Sequence, residues 1–218
     1  MKRLIPIFLI SFIAVLSSCD KDEINNTDTQ VGRSRVTTFP ILEIKGDRYV
    51  AVAVGGTYTD AGATAKVGAT DVPFTTSGTV TTNTPGVYTL TYSAVNDDGF
   101  SASARRTVVV YSTDATAAAN DLSGNYARTT NGSVAEWKKI APGVYTVFNP
   151  GGAPGTNLTV IAINPTGFTI DIPNQVSSDG SVTSSSGESY TPTPPPAKYT
   201  MVIVNPGYGT AARSFVKQ

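Results

Sequence analysis

The chain has 218 residues, with 16 basic and 16 acidic side chains, a single cysteine (Cys19) and no histidine. No basic excess offers nucleic acid an electrostatic face, and one thiol without any imidazole excludes Ser-His-Asp and Cys-His nucleophiles, His-ligated transition metals, thiolate zinc sites and disulfides. Carboxylate, lysine and tyrosine chemistry and oxygen-ligated calcium remain; the chain reads as non-catalytic, with no cofactor.

Residues 1–19 hold Lys2 and Arg3, an apolar run from Leu4 to Leu16, and Ser17-Ser18-Cys19. A basic start, a short apolar run and small residues are the parts of a signal peptide, and the run is shorter than the ~20 residues a spanning helix needs. Leu16-Ser17-Ser18-Cys19 resembles the lipobox of bacterial lipoproteins. That resemblance implies lipidation of Cys19 and attachment to the membrane, which is stable once two or more acyl chains are carried. Asp20-Lys21-Asp22-Glu23 resembles the surface-export signal of Bacteroidetes lipoproteins, implying the outer membrane and its extracellular face. Loss of Lys2 and Arg3 with the leader leaves 14 basic against 16 acidic residues, a net charge of about −2. Residues 20–38 are polar and aperiodic and read as a flexible stalk.

From 39 to 112 short β-rich runs alternate with turn residues: Tyr49-Val50-Ala51-Val52-Ala53-Val54 before Gly55-Gly56, Val87-Tyr88-Thr89-Leu90-Thr91-Tyr92 after Pro85-Gly86, and Arg106-Thr107-Val108-Val109-Val110 after the turn Asn96-Asp97-Asp98-Gly99. The pattern predicts a small β-sandwich. Gly56-Thr57-Tyr58-Thr59-Asp60-Ala61-Gly62-Ala63, Gly78-Thr79-Val80, Thr84–Tyr92 and Arg106–Val110, in that order, resemble bacterial Ig-like modules of the hyalin-repeat type. The resemblance implies presentation or adhesion. The family usually has Asp opening the last turn and Gly-Asn closing it; Asn96 and Gly99-Phe100 stand there instead. Asp97 and Asp98, with Asp60, are the weak calcium candidates, although Asn-Asp-Asp-Gly is a strong hairpin turn in its own right.

Residues 113–120 are a small-residue linker or one short helical turn. The remainder, 121–218, carries candidate strands near 124–130, 134–140, 143–148, 157–163, 167–172, 198–204 and 210–217, punctuated by Asn-Pro-Gly and Asn-Pro-Thr-Gly turns. The segment between Ser177 and Ala197, ending Thr191-Pro192-Thr193-Pro194-Pro195-Pro196, reads as a long loop, too polar for core and too proline-rich for a central strand. The expected fold class is all-β: an N-terminal Ig-like β-sandwich followed by a C-terminal antiparallel β-barrel or β-sandwich.

Rings that stack on sugar C–H faces and amides that take hydroxyls make Trp137, Tyr190, Tyr208, Asn149 and Asn157 the candidate ligand-binding residues. Glu136, Asp171, Asp179 and Glu188 are the acids from which a glycosidase pair would have to come. The unit opened by Asp121-Leu122-Ser123-Gly124-Asn125-Tyr126 resembles uncharacterised C-terminal domains of two-domain Bacteroidetes surface lipoproteins, found alongside SusC/SusD-type glycan-uptake systems. The expectation is a non-catalytic surface protein that captures a polysaccharide or oligosaccharide and partners a SusC/SusD-type outer-membrane complex. The alternative is a structural or adhesive module that binds a protein partner such as a transporter component.

Overall fold

The computed structural model describes residues 30–31 and 34–218; the Cys19 motif and most of the stretch read as a stalk lie outside the described residues. The chain divides into two units, Met1–Thr38 and Phe39–Gln218. In the first, β1 (Gln30–Val31) and β2 (Ser34–Arg35) pair antiparallel.

The second unit begins with seven strands in two sheets: β3 (Pro40–Ile44), β4 (Tyr49–Ala53), β5 (Ala63–Val67), β6 (Thr70–Asp71), β7 (Thr75–Ser77), β8 (Gly86–Val95) and β9 (Ser101–Tyr111). The sheet orders are β3-β5-β6 and β4-β9-β8-β7. Strand β4 runs parallel to β9, while β8 and β9 form a long antiparallel hairpin. Its turn is Asn96–Gly99: Gly99 takes φ +86°, which only glycine adopts without strain, and the Phe100 N–H donates to Asn96 Oδ1 at 2.8 Å. Alternation along β8 turns Leu90, Tyr92 and Ala94 inward, against Ala63, Leu42 and Ile44 of the facing sheet.

A single helical turn follows, α1 (Ala115–Ala119). Asp114 caps it by accepting from the Ala117 N–H at 2.8 Å.

Eight further strands make one sheet: β10 (Gly124–Arg128), β11 (Val134–Ala141), β12 (Val144–Phe148), β13 (Thr159–Ile163), β14 (Gln175–Val176), β15 (Val182–Thr191), β16 (Lys198–Val204) and β17 (Arg213–Lys217). Their order is β13-β12-β11-β10-β17-β16-β15-β14, every pairing antiparallel. Residues 171–178 close the seam between the ends of this order. Asp171 and Ile163 exchange backbone hydrogen bonds at 2.8 and 2.9 Å. The Gln175 side chain then stands in for a missing strand residue, accepting from Ile161 N–H at 2.7 Å and donating to Ile161 O at 2.8 Å. Ser178 finishes the seam, with N–H to Thr159 O and Oγ accepting from Thr159 N–H. The sheet is therefore a barrel, with edges sealed in the way antiparallel sheets escape exposed ladders.

Two expectations are corrected here. The segment read as a long loop contains ten-residue β15, because its serines and threonines alternate between Thr183, fully buried, and outward Val182 and Ser184, while the prolines are confined to the β15–β16 connection. The strand expected near 167–172 is absent apart from the single Asp171 bridge; Ile170 and Ile172 are buried by an irregular segment instead.

The barrel interior is filled by side chains, Tyr126, Trp137, Tyr145, Tyr199, Met201, Ile203 and Phe215 among them. Tyr199 stacks on Phe215 at 4.7 Å and meets Trp137 edge-on at 5.3 Å. Such pairs contribute roughly 0.5–1.5 kcal/mol each beyond their burial. A second cluster joins sandwich to barrel: Val109 and Tyr111 of β9 with Val144 and Ile161 of β12 and β13, and Tyr49, Ala51 and Val87 around them. Thus β13 is covered on both faces, with Val160 and Ala162 inside the barrel and Ile161 in the joint.

Candidate binding groove at the barrel mouth

The meander brings four connections to one end of the barrel: 129–133, 149–158, 177–181 and 205–212. They lock onto one another. Asn131 Nδ2 donates to Gly152 O at 3.1 Å, Ser178 Oγ to Asn157 O at 3.1 Å, and Asn205 Nδ2 to Ser181 Oγ at 2.6 Å. The loop around Gly151 and Gly152 needs both glycines. A Cβ on Gly151 would collide with the Tyr208 ring, and Gly152, at φ +55°, leaves no room for one between Arg128 and Phe215.

On the outer wall beside this mouth lies a groove of about 390 Å³, floored by Val182, Val202 and Val204 and rimmed by Tyr208, Asn174 and Asn205. Val182 and Val204 are 56% and 49% exposed, an apolar strip on a sheet face that otherwise alternates to polar. Tyr208 is half-buried. Its hydroxyl donates to Thr156 Oγ1 at 3.4 Å, and the Arg213 guanidinium lies 5.0 Å from its ring centre. Burial, and then the charge of Arg128, hold the Arg213 pKa below the usual arginine value; Tyr208 opposes them. Asp179, at the same end, accepts from Ser181 N–H at 3.0 Å, Ser181 Oγ at 2.7 Å and Ser177 Oγ at 2.8 Å. Burial works against its charge, but these hydrogen bonds outweigh it and keep its carboxyl below the usual carboxylate range.

The structure sorts the five candidate ligand-binding residues. Tyr208 lines the groove, and exposed Asn157 lies at the same end. Asn149 is at this end too but is spent on the fold: at φ 52°, it donates to Val134 O at 3.0 Å and accepts from Ala153 N–H at 2.8 Å. Tyr190 belongs to the opposite end, packed against the barrel core and paired with Tyr199 across the ladder. Trp137 is 2% exposed, its Nε1 donating to Tyr199 Oη at 3.2 Å, and presents no face to a ligand. Its alternation with Glu136 and Lys138 put it in the core.

Asp60 does not join Asp97 and Asp98. Its carboxylate pairs with the buried Arg106 guanidinium and accepts from Tyr92 Oη at 2.6 Å, while Asp97 and Asp98 occupy the β8–β9 turn. Among the described residues no three acids gather as a metal site. Of the acids considered for hydrolysis, Asp171 and Glu188 sense each other, but at the end of the barrel away from the groove. Sequence reasoning passed over Arg128, Arg213 and Asn205. The two arginines keep step with inward Tyr126 and Phe215, and that phase was the available signal.

Residues 42–110 match the family model of the bacterial surface protein, Ig-like domain. The match covers about a third of the chain and coincides with the sandwich. No curated protein matches the chain. Among solved structures, the lipoprotein BT2262 from Bacteroides thetaiotaomicron aligns over 83% of this chain and 100% of its own, at 22% identity and a TM-score of 0.41. The M60 catalytic domain with the CBM51-1 and CBM51-2 domains of Clostridium perfringens ZmpB aligns over 85% of this chain and 24% of its own, at 13% identity and a TM-score of 0.31. Neither likeness is close enough to carry a function across.

Proposed function

We propose that the chain is a lipid-anchored surface protein, held in the outer membrane through Cys19, whose barrel captures an extracellular glycan without cleaving it. The observation that carries this reading is the groove at the barrel mouth: an apolar floor beside one half-buried tyrosine, with the exposed amide of Asn174 at its rim, while the Asn205 amide is held by Ser181, Thr183 and Gly207. A pyranose ring offers a C–H face to such a tyrosine and hydroxyls to such an amide. The Ig-like sandwich serves as the mount that presents the barrel, and a SusC/SusD-type complex is the destination proposed for the captured sugar.

Binding of full-length protein, purified in neutral detergent, to a panel of plant and host polysaccharides tests the reading. At least one polysaccharide should bind, and Tyr208→Ala should weaken it about tenfold or more, as loss of one stacking ring implies, with circular dichroism unchanged. Absence of binding to every polysaccharide by folded protein would sink it.

A second reading rests on the exposed Val182 and Val204, which would equally suit an adhesive contact with a protein such as an outer-membrane transporter component. Recovery of such a partner from solubilised membranes, undiminished by competing glycans, would favour it.

A further inference from the structure

Arg128 closes β10 and Arg213 opens the neighbouring β17, where Arg128 stands opposite Phe215 in the register. Both arginines are in phase with the inward-facing residues of their strands, so both side chains lie at the barrel mouth. Arg213 is only 9% exposed and Arg128 is half-buried. Their acceptors are main-chain carbonyls alone: Arg128 Nη1 donates to Gly152 O at 3.2 Å and Gly151 O at 3.5 Å, and Arg213 Nη1 to Ala211 O at 3.3 Å. The Nε–H of each is buried without an acceptor. Neither pairs with a carboxylate among the described residues, and Asp179 nearby is committed to Ser177 and Ser181.

Two like charges in a low-dielectric site are costly, and five N–H donors per guanidinium far exceed the carbonyls present. Planar guanidinium forks match oxyanions. Tyr208 links the pair to the groove, since it forms the groove wall and carries Arg213 over its ring. We propose that the groove selects an acidic ligand, and that the Arg128–Arg213 pair receives its carboxylate or sulfate. This rests on the glycan reading above and narrows it.

The test measures binding of the full-length protein in neutral detergent to two matched pairs: polygalacturonate with its methyl ester, and chondroitin sulfate with its desulfated form. The acidic member of at least one pair should bind about tenfold tighter, the margin of one charge-assisted hydrogen bond, and Arg128→Gln should erase that margin. Preference within the first pair names a carboxylate and within the second a sulfate. Should the variant misfold, the preference of the wild-type protein still has to fade with rising salt. Equal or tighter binding of the neutral forms overturns the acidic proposal and leaves glycan capture standing. If no glycan binds but inorganic sulfate raises the Tm of the wild type and not of Arg128→Gln, the anion site stands and glycan capture falls. If sulfate has no effect either, both fall.

Discussion

Asp60 and Asp171 carry the same group in opposite surroundings. Burial disfavours the charge of Asp60, yet hydrogen bonds from Tyr92, the Gly62 N–H and Tyr58, together with Arg106, overcome it and depress its pKa. The stability it contributes is fully present above the unfolded carboxylate value and is lost as pH falls through its lower folded value. Arg106, 2% exposed, also donates to the carbonyls of Asp47, Lys45 and Gly62. Replacing it by Met leaves the carbonyls of Asp47 and Lys45 without that donor and the Asp60 charge without its cation; Arg106→Met should cost about 3–5 kcal/mol in denaturant unfolding. Asp171 lies in an apolar cleft lined by Val109, Tyr111, Ile163 and Pro173, where burial first and Glu188 second raise its pKa. Its folded form holds a proton more tightly than the unfolded chain, so its penalty is full at neutral pH and disappears as pH falls through the folded value. Asp171→Asn should therefore raise Tm at pH 7 and leave it unchanged at pH 3. An equal shift at both values would show that charge is not the cause.

At the scale of elements, the middle of the barrel seam depends on one amide. Gln175 is 5% exposed and satisfies both the N–H and the carbonyl of Ile161. Gln175→Leu strands both groups in the seam, at about 2–4 kcal/mol, and the Ile161 amide should lose its protection from hydrogen exchange while amides of β10 and β11 keep theirs. Retained protection at Ile161 would mean that backbone bonds alone hold the seam. No sequence pattern announces a side chain acting as a strand, which is why the choice between barrel and sandwich stayed open. Strands with strong alternation or β-branched runs, such as 134–141 and 198–204, were legible because their period is a local property. Strand β15 was not, because Val182-Thr183-Ser184-Ser185-Ser186 owes its place to partners on either side rather than to its own hydrophobicity. Tyr208 was legible as a ring flanking a turn. The valines that make its groove come from β15 and β16 and meet only through pairing.

Across the whole of residues 39–218, the sandwich and barrel share apolar contacts through Val109, Tyr111, Val144 and Ile161. The small residues of 113–120 read as a linker or a short helical turn, and the buried cluster beside it argues for joint stability. Calorimetry should record one cooperative transition. Ile161→Ala, about 2–4 kcal/mol destabilising by lost burial and residual cavity, should split it in two by loosening the joint. Two transitions already in the wild type would refute the coupling. The same architecture leaves the four hairpin tips at the mouth outside any ladder that fixes register. Substitution at tip positions that the fold does not use, such as Asn157 and Gly209, can thus reshape the rim of the mouth while the staves of the barrel stay in place.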